Sequence, residues 1–176
     1  RKDGIRVVIL YPEDGVSTFQ KKQLTSWGGN VLSVAVDGTF DDCQRIVKEA
    51  LTDPDLKSKF RLTSANSINI GRLLPQIVYY GMASLNYFRK HGVRPSFVIP
   101  SGNLGNAVAC FWAKQMGYPI SRIVMTTNEN PTLLDWWLSG KYQPRKSKST
   151  LANAMDVGSP SNFERLIHLH PDINVL

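Results

Sequence analysis

Apolar and mostly β-branched residues run almost unbroken from residue 5 to residue 11, the pattern of a strand covered on both faces. Pro12 ends the run. Ser17 stands where it can cap a helix reaching about Trp27, which Gly28 and Gly29 stop. Alternation over residues 30–36 predicts a second strand. Thr39 then precedes Phe40, Cys43, Ile46, Val47, Ala50 and Leu51, whose spacing of three and four marks an amphipathic helix ended near Asp53-Pro54. Residues 60–64 read as a short third strand. From residue 70 to residue 87 nearly every turn is apolar, through Leu73, Leu74, Ile77, Val78 and Met82. That helix is expected to lie buried between layers and to start or kink near Pro75. A strand over 96–99, a helix over 104–116 and a strand over 122–126 follow.

Strands that alternate with helices imply right-handed crossovers. The predicted class is α/β, with open, mostly parallel sheets and helices on both faces. Ligands in such sheets bind beyond the carboxyl ends of the strands. Two segments qualify: Ser64-Ala65-Asn66-Ser67-Ile68-Asn69, and Ser101-Gly102-Asn103-Leu104-Gly105-Asn106 directly after Phe97-Val98-Ile99.

The second segment carries the sharper chemistry. Glycines let main-chain N–H groups approach an anion with no Cβ in the way, and the helix that follows offers unpaired N–H groups and a partial positive charge. The same pattern also serves as a plain strand-to-helix connection, and it does not continue into the dinucleotide fingerprint G-x-G-x-x-G. In the first segment, Asn66 and Asn69 suit either helix capping or a polar ligand, and Arg72 suits either a surface ion pair or an anion.

Composition narrows the classes. Of 176 residues, 42% are hydrophobic and 20% charged, the balance of a globular domain rather than a disordered chain. Apolar stretches stop well short of the ~20 residues a membrane span needs. The formal charge of +7 is spread over the chain, without the basic stripe and stacking aromatics of a nucleic-acid surface. The run Arg145-Lys146-Ser147-Lys148 reads as a mobile polar connector. Cys43 and Cys110 fall on different predicted helices without C-x-x-C spacing, so buried free thiols are expected. Three histidines form no ligand cluster, and no metal is assigned. Trp27, Trp112, Trp136 and Trp137 are assigned to packing.

Several strings, in one order, resemble the threonine synthase family of pyridoxal-phosphate enzymes. They are Ser64 to Asn69 with Arg72, Ile99-Pro100 with the glycine loop, Thr126-Thr127-Asn128-Glu129-Asn130, Ser149-Thr150-Leu151-Ala152-Asn153-Ala154-Met155-Asp156, and Ser161-Asn162-Phe163-Glu164-Arg165. The likeness runs from about Val7 to about Arg165. It implies the tryptophan-synthase-β-like fold, fold type II, with residues 1–70 in the smaller α/β domain and 71–176 in the larger cofactor-binding one, the crossing lying between residues 66 and 94. It implies pyridoxal 5'-phosphate as cofactor, bound at Ser101, Gly102, Asn103, Leu104, Gly105 and Asn106. Asn66, Asn69 and Arg72 become candidates for the substrate, O-phospho-L-homoserine, which such enzymes convert with water to L-threonine and phosphate. The family's Schiff-base lysine motif, His-Gly-Pro-Thr-x-x-Phe-Lys-Asp, does not occur among these residues. The sequence is therefore expected to be an inactive internal piece with no catalytic residue of its own, from a cytoplasmic enzyme with no nucleic-acid or membrane partner. A serine or threonine dehydratase of the same fold, and a non-catalytic relative that binds phosphorylated ligands, are the alternatives.

Overall fold

A computed structural model of the chain describes residues 4–169. Residues up to Thr63 make one compact unit and those from Ser64 another.

The first unit contains β1 (Val7–Pro12), α1 (Thr18–Thr25), β2 (Val31–Val36), α2 (Phe40–Thr52) and α3 (Pro54–Lys59). β1 and β2 pair in parallel, Val7 opposite Val31 and Pro12 opposite Val36. Caps set the helix starts. The Ser17 hydroxyl accepts from the Gln20 N–H while the Gln20 side chain accepts from the Ser17 N–H, and Thr39 makes the same reciprocal pair with Asp42. Hydrogen bonds from the Thr39 backbone and hydroxyl hold the Asp42 carboxyl below the usual carboxylate range.

Two expectations fail here. β1 is not covered on both faces: Val8 is 62% exposed, and burial is reached only at Tyr11 and Pro12. Residues 60–64 form no strand, because no described strand pairs with them. A third holds, since α2 ends at Thr52 beside Asp53-Pro54, and the same two residues open α3. Asp53 ends α2 and caps α3 through the Leu56 N–H at 2.8 Å, with Pro54 in the first turn, where its missing N–H costs nothing.

The second unit contains α4 (Ile70–His91), β3 (Phe97–Pro100), α5 (Gly105–Gln115), β4 (Ile123–Thr126), α6 (Thr132–Ser139), a 3-10 turn (Asn153–Met155) and α7 (Phe163–Leu169). β3 and β4 pair in parallel from Phe97 opposite Ile123 to Pro100 opposite Thr126. One core cluster joins Leu73, Leu104, Val108, Trp136, Phe163 and Leu166. A second packs Tyr80, Ile99, Cys110 and Ile120 around the alanines of α5. Cys43 and Cys110 are free and buried, as expected.

α4 starts at Ile70, ahead of Pro75, with Asn69 as its cap. It was expected between layers, yet Leu73, Tyr80, Gly81 and Ser84 are its only buried residues while Leu74, Val78 and Met82 are exposed. Its apolar circumference is wider than the face that α5 covers. Among the tryptophans, Trp136 is in the core with Trp112 packed against its cluster, whereas Trp27 and Trp137 are more than half or about half exposed.

Candidate functional site

β3 delivers the chain into the glycine loop. Ser101 is buried, its N–H bound to the Thr126 carbonyl at 2.9 Å and its hydroxyl donating to the Ile99 carbonyl at 2.9 Å. Gly102 follows under the 3-10 turn: a Cβ there would lie 3.0 Å from Met155 Cα and 3.2 Å from its sulfur. Leu104 then adopts φ 64° and ψ 2°, the one non-glycine with positive φ among the described residues. Such a backbone costs an L-residue roughly 1–2 kcal/mol, and the Leu104 side chain, 1% exposed in the first core cluster, holds it there.

The result is a surplus of donors. Among the described residues, the N–H groups of Gly102, Asn103 and Leu104 form no hydrogen bond. Those of Gly105 and Asn106 open α5, where a helix has no acceptor of its own to offer. The first intrahelical bond closes at Val108 N–H to the Leu104 carbonyl, 2.9 Å. No acidic residue stands in this first turn. Asn106 turns its side chain onto neighbouring backbone, donating to the Pro100 carbonyl and accepting from the Ala107 N–H, each at 2.9 Å. A largely buried loop of free N–H groups at a helix start suits an anion such as phosphate.

The other segment lies against this loop. A Cβ on Gly105 would stand 3.1 Å from Ser67 Cβ. Asn66 accepts from the Ile68 N–H and the Ser67 hydroxyl. Asn69 caps α4 through the Gly71 N–H at 2.9 Å and donates to the Ser64 carbonyl at 2.8 Å, so its amide is engaged at both ends. Arg72 is exposed and donates from one nitrogen to the Ala65 carbonyl at 2.6 Å.

Residues to which the sequence gave no role tie these pieces together. Asn103 Oδ1 accepts from the Ser161 N–H at 3.1 Å and hydroxyl at 3.2 Å, and the Asn162 amide donates to the Asn103 carbonyl at 2.9 Å. Arg165 donates to the carbonyls of Ser67 and Ile68 at 3.0 and 2.8 Å and to Asn162 Oδ1. Asp156 gathers the neighbouring loops, accepting from Asn128 Nδ2 at 2.7 Å, Thr150 Oγ1 at 2.7 Å and the Thr150 N–H at 2.8 Å. Asn130 adds Lys148 through its N–H, 2.7 Å, and its carbonyl, 3.0 Å.

The basic run expected to be mobile is thus strapped down. The Arg145 N–H binds the Gly158 carbonyl at 3.1 Å and its guanidinium meets Asp135 at 2.8 Å. The signal for all of this lay in the strings 149–156 and 161–165, but their partners sit up to 98 positions away.

No cysteine here is poised as a nucleophile, since burial pushes the Cys110 thiol up to about 12 and raises Cys43 as well. Lys114 is exposed and donates to the Ser121 carbonyl at 2.8 Å. No cluster of metal-binding side chains occurs among the described residues, and no described helix is long and apolar enough to cross a membrane.

Comparison with known proteins shows what the chain is similar to. The family described as pyridoxal-phosphate dependent enzyme matches residues 1–172. A threonine synthase from Serratia marcescens is 44% identical over 166 residues, covering 94% of this chain and 39% of that protein. The crystal structure of threonine synthase from Escherichia coli superposes with a TM-score of 0.86 at 41% identity, over 94% of this chain and 39% of that one. A PLP-bound threonine synthase from Brucella melitensis gives a TM-score of 0.76 at 36% identity, over 97% and 37%. The chain spans about two fifths of the length of the relatives it matches.

Proposed function

This chain belongs to the pyridoxal-phosphate dependent enzyme family, and from that premise we propose that it is the phosphate-binding part of a threonine synthase. The observation that carries the reading is the donor surplus of the glycine loop. N–H groups of residues 102–106 have no acceptor among the described residues, the helix start adds partial positive charge, and no carboxylate opposes it. That donor set fits a dianionic phosphate. In this reading Gly102, Asn103, Leu104, Gly105 and Asn106 hold the cofactor's phosphate through main-chain N–H groups, with Ser101 fixing the turn that presents them.

When bound, the cofactor acts as an electron sink for the carbanions formed as protons leave Cα and Cβ of an amino-acid substrate. The chain's own residues bind and orient. Arg72 keeps most of its planar fork of donors free of protein partners, and it is the residue we assign to an anionic group of O-phospho-L-homoserine. Asn66 and Asn69 shape the turn beside it, and Asn69 would have to exchange its cap to touch substrate. Across the whole reaction the γ-phosphate leaves, water adds its hydroxyl at Cβ, and L-threonine is released. The lysine that carries the cofactor is assigned to sequence outside these residues. The first compact unit belongs, in this account, to the smaller α/β domain and the second to the larger, in a cytoplasmic enzyme.

The test is made on the intact protein. Wild type should bind pyridoxal phosphate far more tightly than pyridoxal, which lacks the phosphate, and should release one phosphate for each threonine formed from O-phospho-L-homoserine. Equal affinity for the two vitamers would remove the phosphate site, and formation of a keto acid from serine or threonine with no turnover of phosphohomoserine would replace threonine synthase with a dehydratase.

A further inference from the structure

We propose that Asn162 and Arg165 act as one positioning unit that clamps the Asn66–Asn69 turn to the glycine loop and so fixes the distance between the phosphate cradle and the substrate-side residues. Ligand names in this inference rest on the function proposed above; the clamp itself does not.

The residues are built for the task. α7 carries Phe163 and Leu166, each 2% exposed, into the core, where the Phe163 ring stacks on Tyr142 at 3.9 Å and meets Trp136 edge-on at 4.8 Å. That anchoring leaves Asn162 and Arg165, three positions apart, on a common side. Asn162 is fully buried. Its amide spans the gap, donating to the Asn103 carbonyl at 2.9 Å while accepting from Arg165.

The guanidinium continues the chain of contacts, with Nη1 on the Ser67 carbonyl at 3.0 Å and Nη2 on the Ile68 carbonyl at 2.8 Å. Two successive carbonyls taken by two nitrogens of one planar fork fix a turn in orientation as well as position. Lysine, a point donor on a flexible stem, cannot do this. On the loop side, Ser161 closes the contact by donating to Asn103 Oδ1 from its N–H and its hydroxyl.

Arg165 has only neutral partners, two carbonyls and an amide, and forms no ion pair among the described residues. No carboxylate among the described residues offsets its charge. Arg165 is placed where its fork orders two loops and its charge adds to the positive field that an anion entering between them would meet.

The experiment uses Arg165→Lys and Asn162→Ser in the intact protein. Hydrogen exchange on the cofactor-free protein reads the clamp directly. Arg165→Lys should raise exchange about tenfold at the Ile68 and Asn69 amides, bound to Asn66 Oδ1 and the Asn66 carbonyl, and also at the Val108 amide, bound to the Leu104 carbonyl of the glycine loop, a factor that corresponds to losing about one charged hydrogen bond. Asn162→Ser, which removes the link to Asn103, should raise it at Val108 first. Exchange that rises only within 163–169, or uniformly with a falling Tm, overturns the proposal.

The kinetic arm separates positioning from plain stability. Arg165→Lys should raise both the Kd for pyridoxal phosphate, read from the absorbance of the bound cofactor, and the KM for O-phospho-L-homoserine by about tenfold, with kcat nearly unchanged. An unchanged KM and Kd alongside a lowered Tm also overturns it. Should wild type bind neither ligand, the proposed function fails while the exchange pattern still decides the clamp.

Discussion

Leu104 offers a perturbation whose sign is opposite to the usual one. Its φ of 64° puts an L-residue in the left-handed region at the start of α5, and its side chain is 1% exposed. Replacing Leu104 by alanine removes buried methyl and methylene groups but keeps the backbone strain, at a cost of about 2–5 kcal/mol. Replacing it by glycine loses the same packing and releases the strain. At an ordinary helical position glycine is worse than alanine by roughly 0.5–1 kcal/mol. Here it should be better by about 1 kcal/mol, because alanine at positive φ loses more than its lower unfolded-state entropy returns. The predicted order is Leu, then Gly, then Ala. Native-state hydrogen exchange at the Val108 amide, which binds the Leu104 carbonyl at 2.9 Å, reads the opening of this turn in the intact protein. Alanine equal to or more stable than glycine would show that the turn is not strained, and with it would go the argument that packing of Leu104 is what holds the loop's N–H groups open.

Other consequences are more local. Gly158→Ala would drive a Cβ into the Arg145 carbonyl oxygen, a backbone clash that must displace the strap, so limited proteolysis should cut the 145–158 strap in the variant and spare it in wild type. Neither Cys43 nor Cys110 should react with Ellman's reagent before unfolding, since both are buried and burial raises both thiols, Cys110 to about 12; one rapid equivalent of thiol would contradict the packing. Arg72→Ala should raise KM for O-phospho-L-homoserine or lower kcat/KM with little change in cofactor affinity, because the one side-chain bond of Arg72 among the described residues is to the Ala65 carbonyl. Unaltered kinetics would leave Arg72 a structural residue.

What could be read from the sequence was what is encoded locally. Ser17, Thr39 and Asn69 each cap the helix they precede, since a cap needs only the next three residues. β3, the glycine loop, α5 and β4 follow from an apolar run, two glycines and a second apolar run. Elements that depend on distant partners were not legible. α6 and α7 are short and owe their burial to each other through Trp136 and Phe163. The strand expected at residues 60–64 had the right residues but no strand beside it among the described residues. The exposed side of α4 shows the same limit: periodicity reported how apolar the helix is, and only the fold decides which part is covered. Asp156 and Arg165 carried a family resemblance but no role until the loops they bind, as far as 28 and 98 positions away, stood beside them.

The central claim is that the loop of residues 101–106 is a phosphate cradle built of main-chain donors. A crystal structure of the intact protein with pyridoxal phosphate tests it most directly. The account predicts phosphate oxygens about 3 Å from N–H groups within residues 102–106, with Leu104 still at positive φ. A cofactor phosphate held elsewhere, with these N–H groups bound to other protein acceptors, would contradict it.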